Sequence, residues 1–131
     1  MLSATNFSIG MNIVFALNER LATLMRDRPY KVSIAETHHI HKLDAPSGTA
    51  ITLQQQIVHN ANRQVAEVPI ASYREGEVPG THTVVYDSPV DTITLTHEAH
   101  SRQGLAQGAV VAAEWLAKAV PGVYTMKDLL A

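Results

Sequence analysis

The sequence predicts an α+β fold in which a mixed β-sheet of about four strands packs helices on one face. Two observations support this prediction. Apolar residues recur at three- and four-residue steps near both ends of the chain, which is typical of amphipathic helices. Between these segments, β-branched residues alternate with polar ones, which is typical of half-buried strands. The resulting order of helix, strand, helix, strands and helix favours helices on one side of a single sheet.

The first helix is predicted over residues 9–25, with its start near Ser8 and its end before Pro29, which cannot continue a helix. Its apolar residues recur at helical spacing: Ile9, Ile13, Val14, Leu17, Leu21 and Leu24. Residues 30–37 then show the two-residue period of a strand. A turn-rich stretch over residues 43–49 leads into a second predicted helix over residues 50–59.

The second half of the chain predicts the rest of the sheet and the last helix. Residues 68–73 predict a short strand, which Pro69 places at a sheet edge or at the strand's beginning. A β-hairpin is predicted from residues 81–86 and 91–96, joined by a turn at 87–89. The last helix follows from residue 102 to residue 120, where Ser101 provides a cap and Pro121 ends it. A short tail over residues 123–130 closes the domain.

One face of this predicted sheet has no helix to cover it. Such a face must be solvated or must pack on another copy of the chain. Four apolar residues of the hairpin are candidates for that packing: Val84, Tyr86, Ile93 and Leu95. We therefore expect oligomerisation through the sheet.

Composition bounds the class of protein. The 131 residues are 46% hydrophobic and 17% charged, which indicates one folded, soluble domain and excludes disorder of the whole chain. The formal charge of −2 provides no global positive field, so we expect neither nucleic acid nor a membrane surface as a partner. No apolar run approaches the ~20 residues of a membrane span, and no leader segment is recognisable. The absence of cysteine excludes disulfides and thiolate chemistry, and it fits the reducing cytoplasm.

Three of the seven histidines lie together, at His38, His39 and His41, and Lys42 follows them directly. On an extended strand His39 and His41 face one side while His38 and Lys42 face the other, so they converge only if the strand ends within this segment. A histidine can transfer a proton near neutral pH, and a lysine helps to hold an anion. This combination suits an acid that acts on an anionic substrate.

The turn that follows has two interpretations. Ser47, Gly48 and Thr49 lie where a loop enters a helix, and unpaired backbone N–H groups there favour a carboxylate or a phosphate. On composition alone, a plain N-cap role for Ser47 or Thr49 is the more common outcome.

Other polar residues have simpler explanations. His39 and His41 are metal-ligand types, but a structural zinc site needs four ligands, so we expect no metal. Asp44 is as plausible a turn former as a catalytic group, and Glu36 is expected to be exposed on its strand. The remaining histidines are expected at the surface or in hydrogen bonds: His59, His82, His97 and His100.

Residues 38–50, HHIHKLDAPSGTA, resemble the signature of the 4-hydroxy-tetrahydrodipicolinate (dihydrodipicolinate) reductase family. Supporting similarity runs through residues 6–10, 80–84, 96–102, 108–116 and 126–130. The resemblance implies an oxidoreductase of lysine and diaminopimelate biosynthesis that reduces a small cyclic dicarboxylate with NADH or NADPH. It implies that residues 1–131 are the family's C-terminal domain, which binds substrate and forms a homotetramer through its mixed sheet.

The resemblance also implies roles for individual residues. His38 corresponds to the catalytic acid and Lys42 to its partner. The residues implied in holding the substrate carboxylates are His39, Lys42, Ser47, Gly48 and Thr49. Those implied at the nicotinamide end of the cofactor are Ala4, Thr5, Asn6 and Phe7. Arg102 is a further candidate for contact with an anion.

Two features depart from the family pattern. The sequence contains no G-x-G-x-x-G turn, so we expect that the N-terminal Rossmann domain is absent from this chain and that the chain alone is inactive. The connection over residues 73–80 is also shorter than in many family members. A non-catalytic oligomerisation or dicarboxylate-sensing module is the alternative, and the presence of His38 and Lys42 argues against it.

Overall fold

The computed structural model describes residues 1–4 and 6–131. Its helices and strands follow one another as β1 (Leu2–Ser3), α1 (Ile9–Met25), β2 (Lys31–His38), α2 (Gly48–Asn60), a 3-10 turn (Val65–Glu67), β3 (Ile70–Arg74), β4 (Thr81–Asp87), β5 (Thr92–Glu98), α3 (Gln103–Lys118), β6 (Tyr124–Thr125) and α4 (Met126–Leu130). Four strands form one mixed sheet in the order β3-β2-β4-β5, in which only β2 and β3 are parallel. The predicted α+β class with a four-stranded mixed sheet is confirmed.

Helix α1 has the predicted span, but the stripe that predicted it is only partly the buried one. Ser8 caps the helix by accepting a hydrogen bond from the N–H of Met11 at 3.2 Å. The side chains that α1 buries are Met11, Asn12, Phe15, Asn18, Ala22 and Met25. Ile13, Leu17 and Leu24 remain about half exposed, at 48%, 52% and 51%. The buried stripe is therefore offset from the predicted one, although Val14 and Leu21 of the predicted stripe are partly buried and pack against the core.

The structure corrects the prediction for the open face of the sheet. Val84 pairs with Leu95 and Tyr86 pairs with Ile93, and Val84 and Tyr86 are fully buried under the helices. These four residues therefore face the helices and not a second copy of the chain. The opposite face is formed by the alternate residues Ser33, Ala35, Thr37, Ala71, Tyr73, Thr81, Thr83, Val85, Thr94 and Thr96. Because β4 and β5 place β-branched residues on both faces, hydropathy did not distinguish one face from the other.

Helix α3 fixes the segment that leads into α1. A Cβ atom at Gly108 would lie 1.7 Å from the carbonyl oxygen of Phe7, so the helix can approach this segment only with glycine at that position. The N-cap of α3 is Arg102 and not the predicted Ser101, although the hydroxyl of Ser101 accepts a hydrogen bond from the N–H of Gln103 at 3.2 Å. Across the described ranges 1–4 and 6–131, every helix is too short or too polar to traverse a lipid bilayer.

The two ends of the chain meet in a way that the sequence did not predict. Strand β1 pairs in parallel with β6, and Tyr124 stacks edge-on against Trp115 of α3 with ring centroids 4.9 Å apart. The predicted tail is therefore a short strand followed by the short helix α4. Met126 at the start of α4 is fully buried, so this end of the chain is anchored to the domain.

Candidate active site

A cavity of about 530 Å³ lies where strand β2 ends. Its walls come from the end of β2, the start of α2, the β3–β4 connection with the start of β4, the end of β5, the segment before α1 and the start of α3. All six residues that the family resemblance assigned to catalysis or to carboxylate binding line this cavity: His38, His39, Lys42, Ser47, Gly48 and Thr49. Asn6 and Arg102 line it as well. The fold therefore gathers in one place residues that the sequence separates by almost one hundred positions.

The histidine segment meets the condition set out above, because β2 ends at His38. The chain then turns, and the N–H of Ile40 donates to the carbonyl oxygen of Gly76 at 3.0 Å. His38 and His39 consequently both line the cavity. His41 points away from it, with 67% of its side chain exposed and its Nε2 atom 3.2 Å from the Glu77 carboxylate.

Glu36 is fully buried, which corrects the expectation that it would be exposed. Its Oε1 atom lies 2.7 Å from Nδ1 of His38 and 2.7 Å from Nη1 of Arg74. Its Oε2 atom accepts hydrogen bonds from the N–H of Ser47 at 2.6 Å and from the hydroxyl of Ser72 at 3.1 Å. Burial alone would raise the pKa of the Glu36 carboxyl, but the hydrogen bonds from Arg74, Ser47 and His38 outweigh it and lower the pKa to about 2. The carboxylate is therefore ionised at neutral pH.

Arg74 is a site residue that sequence reasoning missed. Besides its pairing with Glu36, its guanidinium donates to the carbonyl oxygens of Lys42 at 3.2 Å and Asp44 at 2.5 Å. It therefore ties the loop after β2 to the neighbouring parallel strand β3. A single arginine in an edge strand has no sequence signal of its own, and only the pairing of β3 with β2 brings it beside Glu36.

The other histidines at the cavity are neutral near pH 7. His82 is buried, its ring stacks edge-on against His38 at a centroid distance of 5.0 Å, and its Nε2 atom lies 3.3 Å from the Ser47 hydroxyl. Burial and the charge of His38 lower the pKa of His82 to about 4. Burial likewise lowers the pKa of His97, which is half-buried and lines the cavity. The expectation that His82 would be hydrogen-bonded is confirmed.

His39 differs in that one of its ring nitrogens has no partner. Its Nδ1 atom is buried and makes no hydrogen bond within the described residues. Burial lowers the pKa of His39, and the nearby charge of Arg102 lowers it further. A buried polar atom of this kind usually finds a partner, so the wall formed by His39 is prepared for a hydrogen bond with a ligand atom or with a bridging water, and Nδ1 donates that bond when it carries the hydrogen.

The start of α2 serves both as a cap and as a wall of the cavity. The Ser47 hydroxyl accepts a hydrogen bond from the N–H of Ala50 at 3.2 Å, so the N-cap interpretation is correct. The backbone N–H groups of Gly48 and Thr49 have no acceptor among the described residues, and both residues line the cavity. The Thr49 hydroxyl accepts a hydrogen bond from the Asn6 side chain at 3.2 Å. The cap leaves two donors free at the positive end of the helix dipole.

Two cationic side chains and one carboxylate complete the charge of the cavity. Lys42 pairs with Asp44 at 3.1 Å, and this hydrogen bond lowers the pKa of Asp44. Arg102 forms no ion pair with any residue in the described part of the chain. Because Glu36 is already neutralised by Arg74, the cavity has an excess of positive charge.

Of the residues implied at the nicotinamide, Asn6 lines the cavity. Ala4 lines a second cavity of about 580 Å³ beside β6 and α4, and Phe7 presents its carbonyl oxygen to Gly108 of α3. Thr5 lies outside the described residues. His39 and His41 have ring centroids 6.0 Å apart, and no third histidine, acidic residue or cysteine within the described residues joins them in a metal-binding group.

The fold and the cavity define an α+β domain with a candidate anion-binding active site. The family model described as "Dihydrodipicolinate reductase, C-terminus" matches residues 10–130. The chain therefore belongs to this family, and the resemblance noted from the motif is confirmed.

Two relatives named 4-hydroxy-tetrahydrodipicolinate reductase illustrate the similarity. The protein from Christiangramia forsetii is 52% identical over 137 residues, which cover 97% of this chain and 57% of the relative. The protein from Acidiphilium cryptum is 38% identical over 144 residues, which cover 97% of this chain and 58% of the relative. The chain thus spans somewhat more than half the length of these relatives. A solved structure, dipicolinate-bound dihydrodipicolinate reductase from Paenisporosarcina sp. TG-14, shares the fold with a TM-score of 0.74 at 23% identity, over 95% of this chain and 52% of that one.

Proposed function

We propose that this chain is the substrate-binding and tetramer-forming part of an NAD(P)H-dependent 4-hydroxy-tetrahydrodipicolinate reductase, which acts in the cytoplasm in lysine and diaminopimelate biosynthesis and needs a cofactor domain for turnover. The observation that carries this proposal is the cavity, in which His38 meets an excess of positive charge and free helix N–H groups. Relatives that bear the reductase name and a structural neighbour whose title includes dipicolinate support it. A non-catalytic module is not favoured, since the family match is to reductases.

The cavity offers two places for the carboxylates of a cyclic dicarboxylate. The free N–H groups of Gly48 and Thr49 suit one carboxylate, because a helix N-terminus stabilises an anion. Lys42, Arg102 and the unpartnered ring nitrogen of His39 suit the other. A planar ring with two carboxylates would then lie between these groups and beside His38.

His38 is the proposed proton donor. Because its Nδ1 atom faces the Glu36 carboxylate, the proton to be transferred is held at Nε2. A Cβ atom at Gly80 would lie 3.0 Å from this Nε2 atom, and Gly80 has a φ of +154°, so glycine keeps the space next to the donor open. The carboxylate of Glu36 stabilises the protonated ring until the proton leaves.

Among the described residues implied at the nicotinamide, Asn6 is the one that lines the cavity. Its side chain and backbone are fixed by hydrogen bonds with Thr49, Ser8 and Asn12, which hold it at the cavity. The sequence offers no glycine-rich turn for a pyrophosphate, so these residues fit only the nicotinamide end of NADH or NADPH. When bound, the reduced nicotinamide supplies the hydride.

Calorimetric titration with pyridine-2,6-dicarboxylate tests the ligand class directly. We expect weak binding to the wild-type chain and still weaker binding of pyridine-2-carboxylate, which lacks the second anion. Lys42→Gln is expected to weaken the dicarboxylate about tenfold or more, because a charged hydrogen bond contributes ~1.5–3 kcal/mol. Lys31→Gln, at the far end of β2, is the control and is expected to bind normally. Equal affinity for the two ligands, or no binding at all, would contradict the proposal.

Solution mass by light scattering tests the proposed tetramer. The open face of the sheet contains Thr83 and Thr96, whose hydroxyls lie 3.4 Å apart, and the half-exposed side chain of Tyr73. We expect a mass four times the 14.3 kDa of the chain, stabilised by pyridine-2,6-dicarboxylate. Thr83→Lys is expected to dissociate the assembly, because it places like charges opposite each other in a packed face. Gln55→Lys, on the exposed side of α2, is the control. A monomer at every concentration would refute this part of the proposal.

A further inference from the structure

We infer that Glu36 is the positioning residue of the proton donor: its buried carboxylate holds His38 with the hydrogen on Nδ1 and leaves Nε2 as the atom that exchanges the proton. The inference rests on the proposed function only for the statement that His38 is the donor. The tautomer itself is a property of the folded chain and can be tested without substrate or cofactor.

The geometry requires this tautomer. Glu36 and His38 are two residues apart on β2, so their side chains share one face of the sheet. An ionised carboxylate only accepts hydrogen bonds. The contact of 2.7 Å between Oε1 and Nδ1 is therefore a hydrogen bond only if Nδ1 carries the hydrogen. His82 packs its ring against His38 at 5.0 Å and is neutral near pH 7, so it provides no competing charge.

The surroundings keep Glu36 charged and immobile. Besides His38, its two oxygens are bonded to the Ser47 N–H at the start of α2 and to the Ser72 hydroxyl and the Arg74 guanidinium of β3. A carboxylate held on both oxygens cannot rotate away from the ring. The imidazole is thereby fixed in orientation as well as in tautomer, which is what a donor within reach of a bound substrate needs.

The chain contains a matched comparison in His41 and Glu77. This pair also joins a histidine to a glutamate, at 3.2 Å, but the two side chains are 67% and 77% exposed. Water competes for both partners there, so the contact is not expected to fix the tautomer of His41. Glu77→Gln therefore removes a glutamate of the same kind from the same region without affecting His38.

The test is a long-range proton–nitrogen NMR spectrum of the ¹⁵N-labelled full chain, at a pH above the imidazole titration. We expect the wild-type spectrum to show His38 with a protonated Nδ1 and an unprotonated Nε2. In Glu36→Gln we expect a mixture of tautomers, because an amide can accept or donate. Glu77→Gln should leave the His38 signals in place. An unprotonated Nδ1 in the wild-type protein, or an unchanged tautomer in Glu36→Gln, would overturn the inference.

A structural defect is distinguished from a positioning defect in two ways. Arg74→Lys keeps both the Glu36 carboxylate and a cation beside it, so His38 should retain the Nδ1–H tautomer in this variant even if the variant is less stable. Loss of that tautomer in Arg74→Lys would contradict the role given to Glu36. In a chimera in which this chain replaces the matching 57% of the Christiangramia forsetii relative, Glu36→Gln should lower kcat by about 10- to 100-fold with KM within about threefold.

A KM effect without a kcat effect would count against positioning of the donor. Failure of the proposed function gives a different result. A wild-type chain with the expected tautomer that neither binds pyridine-2,6-dicarboxylate nor supports turnover in the chimera would refute the reductase proposal and leave the tautomer assignment standing.

Discussion

His38→Gln is expected to lower kcat by about 10²- to 10⁴-fold, the range that a positioned general acid contributes. Glutamine fills similar space and can still donate a hydrogen bond to Glu36, but it has no proton to release near neutral pH. Binding of pyridine-2,6-dicarboxylate should change little, since its carboxylates are proposed to contact other groups. The measurement is steady-state NAD(P)H oxidation by the chimera in which this chain replaces the matching 57% of the Christiangramia forsetii relative.

The matched control is His41→Gln. His41 belongs to the same histidine segment but is exposed and does not line the cavity, so the wild-type rate is expected. His82 cannot substitute for His38 as the acid, because its pKa of about 4 leaves it unprotonated near pH 7. A His38→Gln chimera that kept the wild-type kcat would remove the proton-donor role from this residue.

The segments that were predicted correctly are those whose signals are local. Helix α1 and the β4–β5 hairpin have caps, stops and turns within a few residues of their ends, and these determine their spans. The pairing of β1 with β6 joins segments of two residues each from opposite ends of the chain. Such short segments show no periodicity, so no pattern within either one could indicate its partner.

Which face a residue occupies was harder to predict than where an element lies. Ile13 and Leu17 helped to predict α1, yet about half of each side chain is exposed, while Asn18 on the buried stripe donates to the Leu53 carbonyl oxygen at 3.2 Å. In the hairpin, Val84 and Val85 point to opposite faces although their hydropathy is the same. Whether a residue is buried depends on which face packs against α1 and α2. A single sequence does not show which face that is.

The candidate site was predicted to the extent that it is contiguous in sequence. Residues 38–50 carry the family motif, and seven of them line one cavity because β2 ends at His38: His38, His39, Lys42, Asp44, Ser47, Gly48 and Thr49. Glu36 and Arg74 lie outside that motif, and their importance depends on the parallel register of β2 and β3. Ser72 reaches Glu36 through the same register, at 3.1 Å. Side chains that support the proposed proton donor through strand pairing are therefore visible only once the sheet is built.

The stability of the fold against acid is expected to depend on Glu36 more than on any exposed carboxylate. Its pKa falls from 4.5 to about 2 on folding, so its contribution is fully present above pH 4.5 and is lost as the pH falls towards 2. A shift of this size corresponds to about 3 kcal/mol. At pH 7, Glu36→Gln is expected to lower the free energy of unfolding by about 3–5 kcal/mol, because Arg74 loses its buried partner. At pH 2 and below, the difference from wild type should largely disappear.

Urea unfolding followed by Trp115 fluorescence between pH 7 and pH 2 measures this difference. Glu77→Gln, whose carboxylate is 77% exposed, should follow the wild-type curve throughout. If the free energy of unfolding of Glu36→Gln were lower than that of wild type by the same amount at every pH, the loss of stability would come from packing and not from the ionised carboxylate. A difference in stability that grows as the pH is lowered would be opposite to the change that the lowered pKa of Glu36 requires. If the charge of Glu36 holds β2, β3 and the start of α2 together, the difference in the free energy of unfolding must decrease as the carboxylate is protonated.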